Sequence, residues 1–192
     1  ELETMSRQIM ESGAAPCGFT SGWISWVQLE NLSAIHDQPY GTMENGFGGL
    51  GTEFTFNGPV QVKHWENLKN WADEGLFEYG GPVGGGDAPP KFYSQECAIY
   101  MNSSASRAGV INNSGDFEVG FAPLPYYDDE IDEPKNSIIG GATLWALNGK
   151  DPAVYEGVAQ FFTYLSSPEV QAEWHQATGY LPITNAAYEL GK

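Results

Sequence analysis

The sequence predicts an α/β fold, in which helices cover both faces of a mixed or parallel sheet. Short apolar or β-branched runs alternate with segments of helical periodicity along the 192 residues. Hydrophobic residues make up 41% of the chain, which is enough for a sizeable core. The segment 136–147, NSIIGGATLWAL, is apolar over most of its length, as is typical of a strand covered on both faces.

The first half of the chain shows this alternation clearly. Apolar residues at helical spacing predict a helix over about 1–12, and CGFTS predicts a short strand at 17–21. Another helix is expected over 21–37, followed by a glycine-rich loop at 39–51. The segment 59–74 is expected to be a helix, because it begins with a proline, which suits the first helical turn.

The second half continues the same alternation. The acidic segment 126–135 is most simply interpreted as a solvated loop. The other expected elements are a short helix at 91–96, a strand at 97–101, a helix at 103–115, a strand at 117–124, helices starting at 152 and at 168, and a last short helix.

Two adjacent glycines, Gly140 and Gly141, interrupt the apolar segment 136–147. Glycine weakens a strand unless a bulge or a close approach to the backbone requires it. This pair would let a ligand reach backbone N–H groups without meeting a Cβ atom. The alternative is a bulge that only packs, and the pattern alone does not choose between the two.

The charge balance excludes some classes of partner. Twenty-five acidic residues against eight basic ones give a formal net charge of −17. Nucleic acids and anionic membrane surfaces do not attract so anionic a protein, so neither is an expected partner. This balance fits an extracytoplasmic or salty setting, and charge alone does not choose between those.

No catalytic motif is recognisable. His36, His64 and His175 lie in or at the ends of predicted helices, and none neighbours a nucleophile motif such as GxSxG. There is no phosphate loop and no dinucleotide fingerprint. Cysteine and histidine do not cluster at metal-ligand spacing, so we expect no metal site, no cofactor and no enzyme.

Binding is better supported than catalysis. Ser103 and Ser104 follow a predicted strand and open a helix, where free N–H groups and the helix dipole favour an anion or a polyol. Trp23 and Trp26 also follow a strand and offer flat faces, and Tyr180 offers a phenol. Open α/β sheets place ligands at these strand ends. The alternatives are an ordinary N-cap for the serines and plain core for the tryptophans.

Four segments resemble family 1 extracellular solute-binding proteins, the ligand receptors of ABC importers. They are FYSQECAIYMNSS (92–104), FEVGFAPLP (117–125), IIGGATLWAL (138–147) and EWHQATGYLPIT (173–184). With SGWISWVQLENLSA (21–34), the resemblance is closer still to the members that bind glycerol-3-phosphate. It runs over nearly the whole chain.

The resemblance implies a bilobal, periplasmic-binding-protein-like fold. Residues 1–192 would be mainly its C-terminal lobe, without the N-terminal lobe and the extreme C-terminal helices. Both ends of the sequence look cut within helices, which is expected of a piece of a larger protein. In the family, the ligand lies between the two lobes, which close by a hinge motion.

The resemblance also implies a ligand set. Trp23 and Trp26 would flank the glycerol, and Ser103, the N–H of Gly141 and Tyr180 would contact its polar end. An arginine that the family places in its C-terminal region has no counterpart in this chain.

A disulfide between Cys17 and Cys97 is a further expectation. Each cysteine begins a predicted strand, and the resemblance implies that the two strands are neighbours in the sheet. Neighbouring strands can meet the Cα separation of about 5.5 Å that a disulfide requires. A periplasmic setting would be oxidising. The alternative is two buried free thiols.

The resulting functional prediction is the substrate-binding component of an ABC importer for glycerol-3-phosphate or glycerophosphodiesters, located in the periplasm or otherwise exported. Its expected partners are that small-molecule ligand and the membrane subunits of the ABC permease, and the full-length form is expected to be a monomer. The alternatives are an oligosaccharide-binding lobe of an ABC sugar importer, a secreted hydrolase domain, and a purely structural or interaction module.

Overall fold

The computed structural model describes residues 1–82, 84–115 and 117–192. The strands of the described residues are β1 (Cys17–Ser21), β2 (Phe77–Tyr79) and β3 (Cys97–Met101). The helices are α1 (Leu2–Glu11), α2 (Leu32–Ile35), α3 (Thr42–Asn45), α4 (Pro59–Asp73), α5 (Ala88–Tyr93), α6 (Arg107–Asn113), α7 (Pro152–Leu165), α8 (Pro168–Thr178) and α9 (Asn185–Leu190). A π-helical turn (Trp26–Asn31) precedes α2, and a 3-10 turn (Ser104–Ser106) precedes α6.

The chain divides into two compact units. Unit 1 combines residues 1–102 with 113–139, and unit 2 combines residues 103–112 with 140–192. The three described strands and the main hydrophobic core belong to unit 1. The described residues of unit 2 form helices and connecting segments. None of the helices in the described part of the chain is long and apolar enough to cross a membrane.

Unit 1 is built on a parallel sheet whose strand order is β2-β1-β3. In the central strand, Phe19 pairs with Phe77 of β2, and Cys17 pairs with Cys97 of β3. Every residue of β1 is buried, so both faces of this strand are covered. The structure thus confirms the predicted α/β class and the bounds of two predicted strands. The sequence did not predict β2, whose three residues are too few to show a periodicity.

Helices lie on both faces of β1, as predicted, since successive side chains of a strand point to opposite faces. On one face, α1 packs so closely that a Cβ atom at Gly18 would lie 2.3 Å from the Cβ atom of Ser6. On the other face, the ring of Phe19 contacts Trp71 of α4 and Phe77, at centroid distances of 5.8 and 4.9 Å. The hydrophobic core of unit 1 lies on this second face.

The predicted strand at 136–147 is wrong, because the segment has no regular secondary structure. Ile139, Leu144, Trp145 and Leu147 are all largely exposed. A buried strand needs neighbouring strands to satisfy its backbone and a layer to cover its side chains. The apolar composition of the segment does not provide either, and the described strands pair with one another.

The predicted strand at 117–124 is also absent. Phe117 and Leu124, at its two ends, pack separately, and Phe121 between them is largely exposed. The ring of Phe117 lies 5.5 Å from that of Phe92, and Leu124 packs against the core of unit 1. The apolar pattern of residues 117–124 therefore reflects side-chain packing and not strand pairing.

The acidic segment 126–135 is a largely exposed loop, as predicted, and it is also anchored to α4. Lys63 of α4 binds Asp129 at 2.7 Å and Glu130 at 2.6 Å. Its ammonium group also lies 4.8 Å from the centre of the Tyr127 ring. Exposed ion pairs contribute little each, but three contacts to one lysine fix the path of the segment over α4.

A disulfide joins Cys17 and Cys97, the first residues of β1 and β3. Their Cα atoms are 4.5 Å apart, and both residues are buried. The bridge lies at the N-terminal ends of two parallel strands. It therefore fastens the end of the sheet opposite to the loops in which ligands of α/β proteins bind.

We predict that this disulfide is present in the purified protein and stabilises it. Unreduced protein, denatured and treated with an alkylating reagent, should take up no alkyl group at either cysteine. A chemically reduced sample, as the control, should take up one at each. Replacing both cysteines by alanine should lower the free energy of unfolding by up to about 4–5 kcal/mol, because the bridge closes a loop of 80 residues. Two alkylated cysteines in the unreduced sample would contradict the prediction.

Candidate functional site

Trp23 lies in the turn that follows β1 and has an unusual backbone. Its φ angle is +46°, in the left-handed region that bulky residues rarely adopt. A glycine loop packs on this turn. A Cβ atom at Gly85 would lie 2.5 Å from the Cα atom of Gly22, so only glycine allows the approach. Trp23 is still 48% exposed.

Trp26 is placed differently from Trp23. It begins the π-helical turn, is half-buried, and packs against the core of unit 1. π-helical turns are rare and frequently occur at functional sites. The structure therefore gives the two tryptophans different surroundings, since Trp23 is exposed and Trp26 is partly a core residue.

Asn31 ties the π-helical turn to the segment that leads to the glycine pair. Its side-chain amide donates to the carbonyl oxygen of Trp26 at 2.9 Å, and its Oδ1 accepts from the backbone N–H of Ile138 at 3.0 Å. Asn31 is buried, and the two bonds are partly buried. The sequence analysis missed this residue.

Tyr180, in unit 2, is held by its backbone. Gly179 ends α8 with φ +83°, and a Cβ atom there would lie 2.2 Å from the carbonyl oxygen of Ser104. The carbonyl oxygen of Tyr180 lies 2.6 Å from Nδ1 of His175, and its N–H donates to Oγ1 of Thr178 at 3.2 Å. The phenol ring is 41% exposed, so the backbone is fixed while the side chain stays accessible.

Gly141 and Ser103 also belong to unit 2. Gly141 has φ +130°, and a Cβ atom there would lie 3.9 Å from the edge of the Tyr180 ring. Ser103 is the N-cap of the 3-10 turn, and its Oγ accepts from the N–H of Ala105 at 3.2 Å, as in an ordinary helix cap. Within unit 2, Gly141 therefore lies near the Tyr180 ring, and the turn after Ser103 lies against Gly179. Trp23 and Trp26 lie in unit 1.

His64 is a buried histidine that the sequence analysis did not assign to the site. It lies on the inward face of α4 with Val60, Leu68 and Trp71. Its Nε2 is 3.0 Å from Oε1 of Gln28, and its Nδ1 is 2.9 Å from the hydroxyl of Tyr127. A polar residue on a buried, otherwise apolar helix face needs such partners. The position of a histidine among apolar residues at helical spacing is therefore the signal by which the sequence could have identified His64.

Burial, and to a lesser extent the nearby His36, lower the pKa of His64 from 6.5 to about 4. The folded protein therefore keeps the neutral imidazole at pH values where the unfolded chain already binds a proton. The contribution of the neutral His64 to the free energy of unfolding is fully present above pH 6.5 and is lost as the pH falls towards 4.

We predict a pH-dependent loss of stability that His64 causes. Between pH 7 and pH 5 it should lower the free energy of unfolding by about 2 kcal/mol, at ~1.4 kcal/mol per pH unit below 6.5. Urea unfolding of the protein and of His64→Gln at both pH values measures the effect, since the variant lacks the titrating group. Equal losses in the two proteins would contradict the prediction.

No grouping of His, Cys, Asp and Glu side chains in the described ranges is arranged to hold a metal ion. The candidate ligand contacts are aromatic faces, hydroxyl groups and backbone N–H groups. Such groups bind polyols and anions through hydrogen bonds and stacking.

The chain is similar to known bacterial solute-binding proteins. The model of the bacterial extracellular solute-binding protein family matches residues 10–192. The sn-glycerol-3-phosphate-binding periplasmic protein UgpB of Yersinia enterocolitica is 47% identical over all 192 residues. The proteins of the same name from Rhizobium meliloti and Pectobacterium atrosepticum are 43% identical over 98% and 48% identical over 94% of the chain.

The chain spans less than half the length of these relatives, namely 43%, 43% and 40%. It also resembles a solved structure, that of UgpB from Mycobacterium tuberculosis in complex with glycerophosphocholine. The TM-score is 0.64, with 18% identity over 96% of this chain and 44% of the other. At this identity the similarity concerns the fold alone. The family match and the identity to the curated relatives together show that the chain belongs to the bacterial extracellular solute-binding protein family.

Proposed function

We propose that this chain serves as a substrate-binding component of an ABC importer and binds glycerol-3-phosphate or a glycerophosphodiester. Membership of the solute-binding family supports the general role. Relatives that are 43–48% identical are named for binding sn-glycerol-3-phosphate, which supports the ligand class. That residues 1–192 form mainly the C-terminal lobe of such a protein stays a prediction.

The observation that carries the proposal is the exposure of Trp23 on a strained turn. A bulky side chain in the left-handed region costs free energy, of order 1–3 kcal/mol, that packing normally has to offset. Trp23 is half-exposed and recovers little of this from the core. A ligand that covers the indole would supply the missing contact, and the C–H groups of a glycerol suit an aromatic face.

The contacts that the family resemblance implies for the polar end of the ligand are all residues of unit 2. The Ser103 hydroxyl, the N–H of Gly141 and the Tyr180 phenol can donate to phosphate oxygens, and such charge-assisted bonds are strong. With a net charge of −17, the chain as a whole repels an anion at long range. We therefore infer recognition by short-range neutral donors.

The proposed partners are the membrane subunits of an ABC permease, the proposed form is a monomer, and the proposed location is the periplasm or another extracytoplasmic compartment. The family consists of solute-binding proteins, and we propose that this chain binds its ligand without chemical change. Hydrolysis of a glycerophosphodiester by the purified full-length gene product would contradict this part of the proposal.

We predict that Trp23→Ala weakens binding of glycerol-3-phosphate by the full-length gene product about fivefold, since a lost aromatic contact costs on the order of 1 kcal/mol. Its melting temperature should stay near that of the parent, because the indole is outside the core. Trp26→Ala should lower both affinity and melting temperature, because Trp26 packs against the core. Titration calorimetry and thermal unfolding measure the two quantities.

Trp65→Ala is the matched control. Trp65 is a partly exposed tryptophan of α4 that is not a candidate contact. It should change the affinity little. Parental affinity in Trp23→Ala, in a variant that is still folded, would show that Trp23 does not contact the ligand and would remove the main support of the proposal.

A further inference from the structure

A chain of buried hydrogen bonds leads from α4 to the turn that carries Trp23. Nε2 of His64 lies 3.0 Å from Oε1 of Gln28, and Nε2 of Gln28 donates to Oγ of Ser21 at 3.0 Å. The Ser21 hydroxyl donates to the carbonyl oxygen of Gly22 at 3.0 Å. His64, Gln28 and Ser21 are buried. The chain therefore ends on the peptide group that joins Gly22 to Trp23.

The chemistry of the partners fixes the direction of every bond. A carbonyl oxygen only accepts, so the Ser21 hydroxyl donates to Gly22 and accepts from the amide of Gln28. The Oε1 atom of Gln28 must then accept from His64, which carries its hydrogen on Nε2. The Nδ1 atom of His64 accepts from the Tyr127 hydroxyl at 2.9 Å. One neutral tautomer of His64 satisfies all of these bonds.

The turn needs support on both sides of Trp23, because its φ angle of +46° is unfavourable for a bulky residue. On one side, Ser21 holds the Gly22–Trp23 peptide. On the other, the carbonyl oxygen of Trp23 accepts from the N–H of Val27 at 2.8 Å. With both peptide planes held, the direction in which the indole leaves the backbone is set.

We propose that His64 is a positioning residue for Trp23, which holds the Gly22–Trp23 peptide through Gln28 and Ser21 and so aims the indole at the ligand. The part that concerns the ligand rests on the proposed function. The part that concerns the orientation of Trp23 does not depend on it. The simpler alternative is that these bonds only satisfy buried polar groups and affect stability alone.

Two substitutions separate these readings, because each keeps one half of the imidazole. His64→Gln places an amide nitrogen near the position of Nε2 and keeps the donor to Gln28, but loses the acceptor for Tyr127. His64→Asn places an amide oxygen near the position of Nδ1 and keeps that acceptor, but loses the donor to Gln28. A purely stabilising role predicts similar effects of both on Trp23.

The test uses the full-length gene product labelled with fluorotryptophan. The ¹⁹F signal of Trp23 is assigned by its loss in Trp23→Phe. We expect the Trp23 signal to shift in His64→Asn and to keep its parental position in His64→Gln. We also expect affinity for glycerol-3-phosphate to fall about fivefold in His64→Asn, the effect of one lost hydrogen bond, and to be retained in His64→Gln.

An unchanged Trp23 signal in His64→Asn, or equal shifts in both variants, would overturn the positioning role. If His64→Asn does not fold, Gln28→Glu makes the same test, because a carboxylate accepts from His64 but cannot donate to Ser21. An unchanged Trp23 signal there would also overturn the role. A Trp23 shift in a protein that binds neither glycerol-3-phosphate nor glycerophosphocholine would leave the positioning role supported and the proposed function contradicted.

Discussion

The burial of β1 between β2 and β3 is the constraint on which the rest of unit 1 depends. Because this strand is covered on both faces, its position is fixed by α1 on one side and by the Phe19 and Trp71 contact on the other. The disulfide fastens its first residue to β3. Its last residue, Ser21, therefore enters the Trp23 turn from a rigid strand, and a rigid support is what a preorganised binding residue requires.

Local signals explain what could be predicted from the sequence. The strand at 97–101 is a short, largely apolar run, and the helices that begin at Pro59, Pro152 and Pro168 carry proline in the first turn. For the segment 136–147, such local signals led to a wrong prediction of a strand. Its composition suits a strand, but a strand forms only where partner strands lie, and composition does not encode those.

In the candidate site, too, local motifs could be predicted from the sequence and contacts between distant residues could not. Its tryptophans, Gly141 and Tyr180 stand in short motifs that a reader of the sequence can recognise. The bonds that hold them join residues far apart in the chain, such as His64 with Gln28 or Asn31 with Ile138. No pattern in the sequence states those distances. The one available hint was chemical, a histidine on the apolar face of α4.

The central claim is that this family member binds a glycerol phosphate through aromatic and neutral polar groups. Titration calorimetry of the full-length gene product with glycerol-3-phosphate, glycerophosphocholine and maltose tests it most directly. We expect saturable binding of glycerol-3-phosphate or glycerophosphocholine, and no binding of maltose. Saturable binding of maltose alone would contradict the account and would support an oligosaccharide receptor, and binding of none of the three would contradict the proposed ligand class altogether.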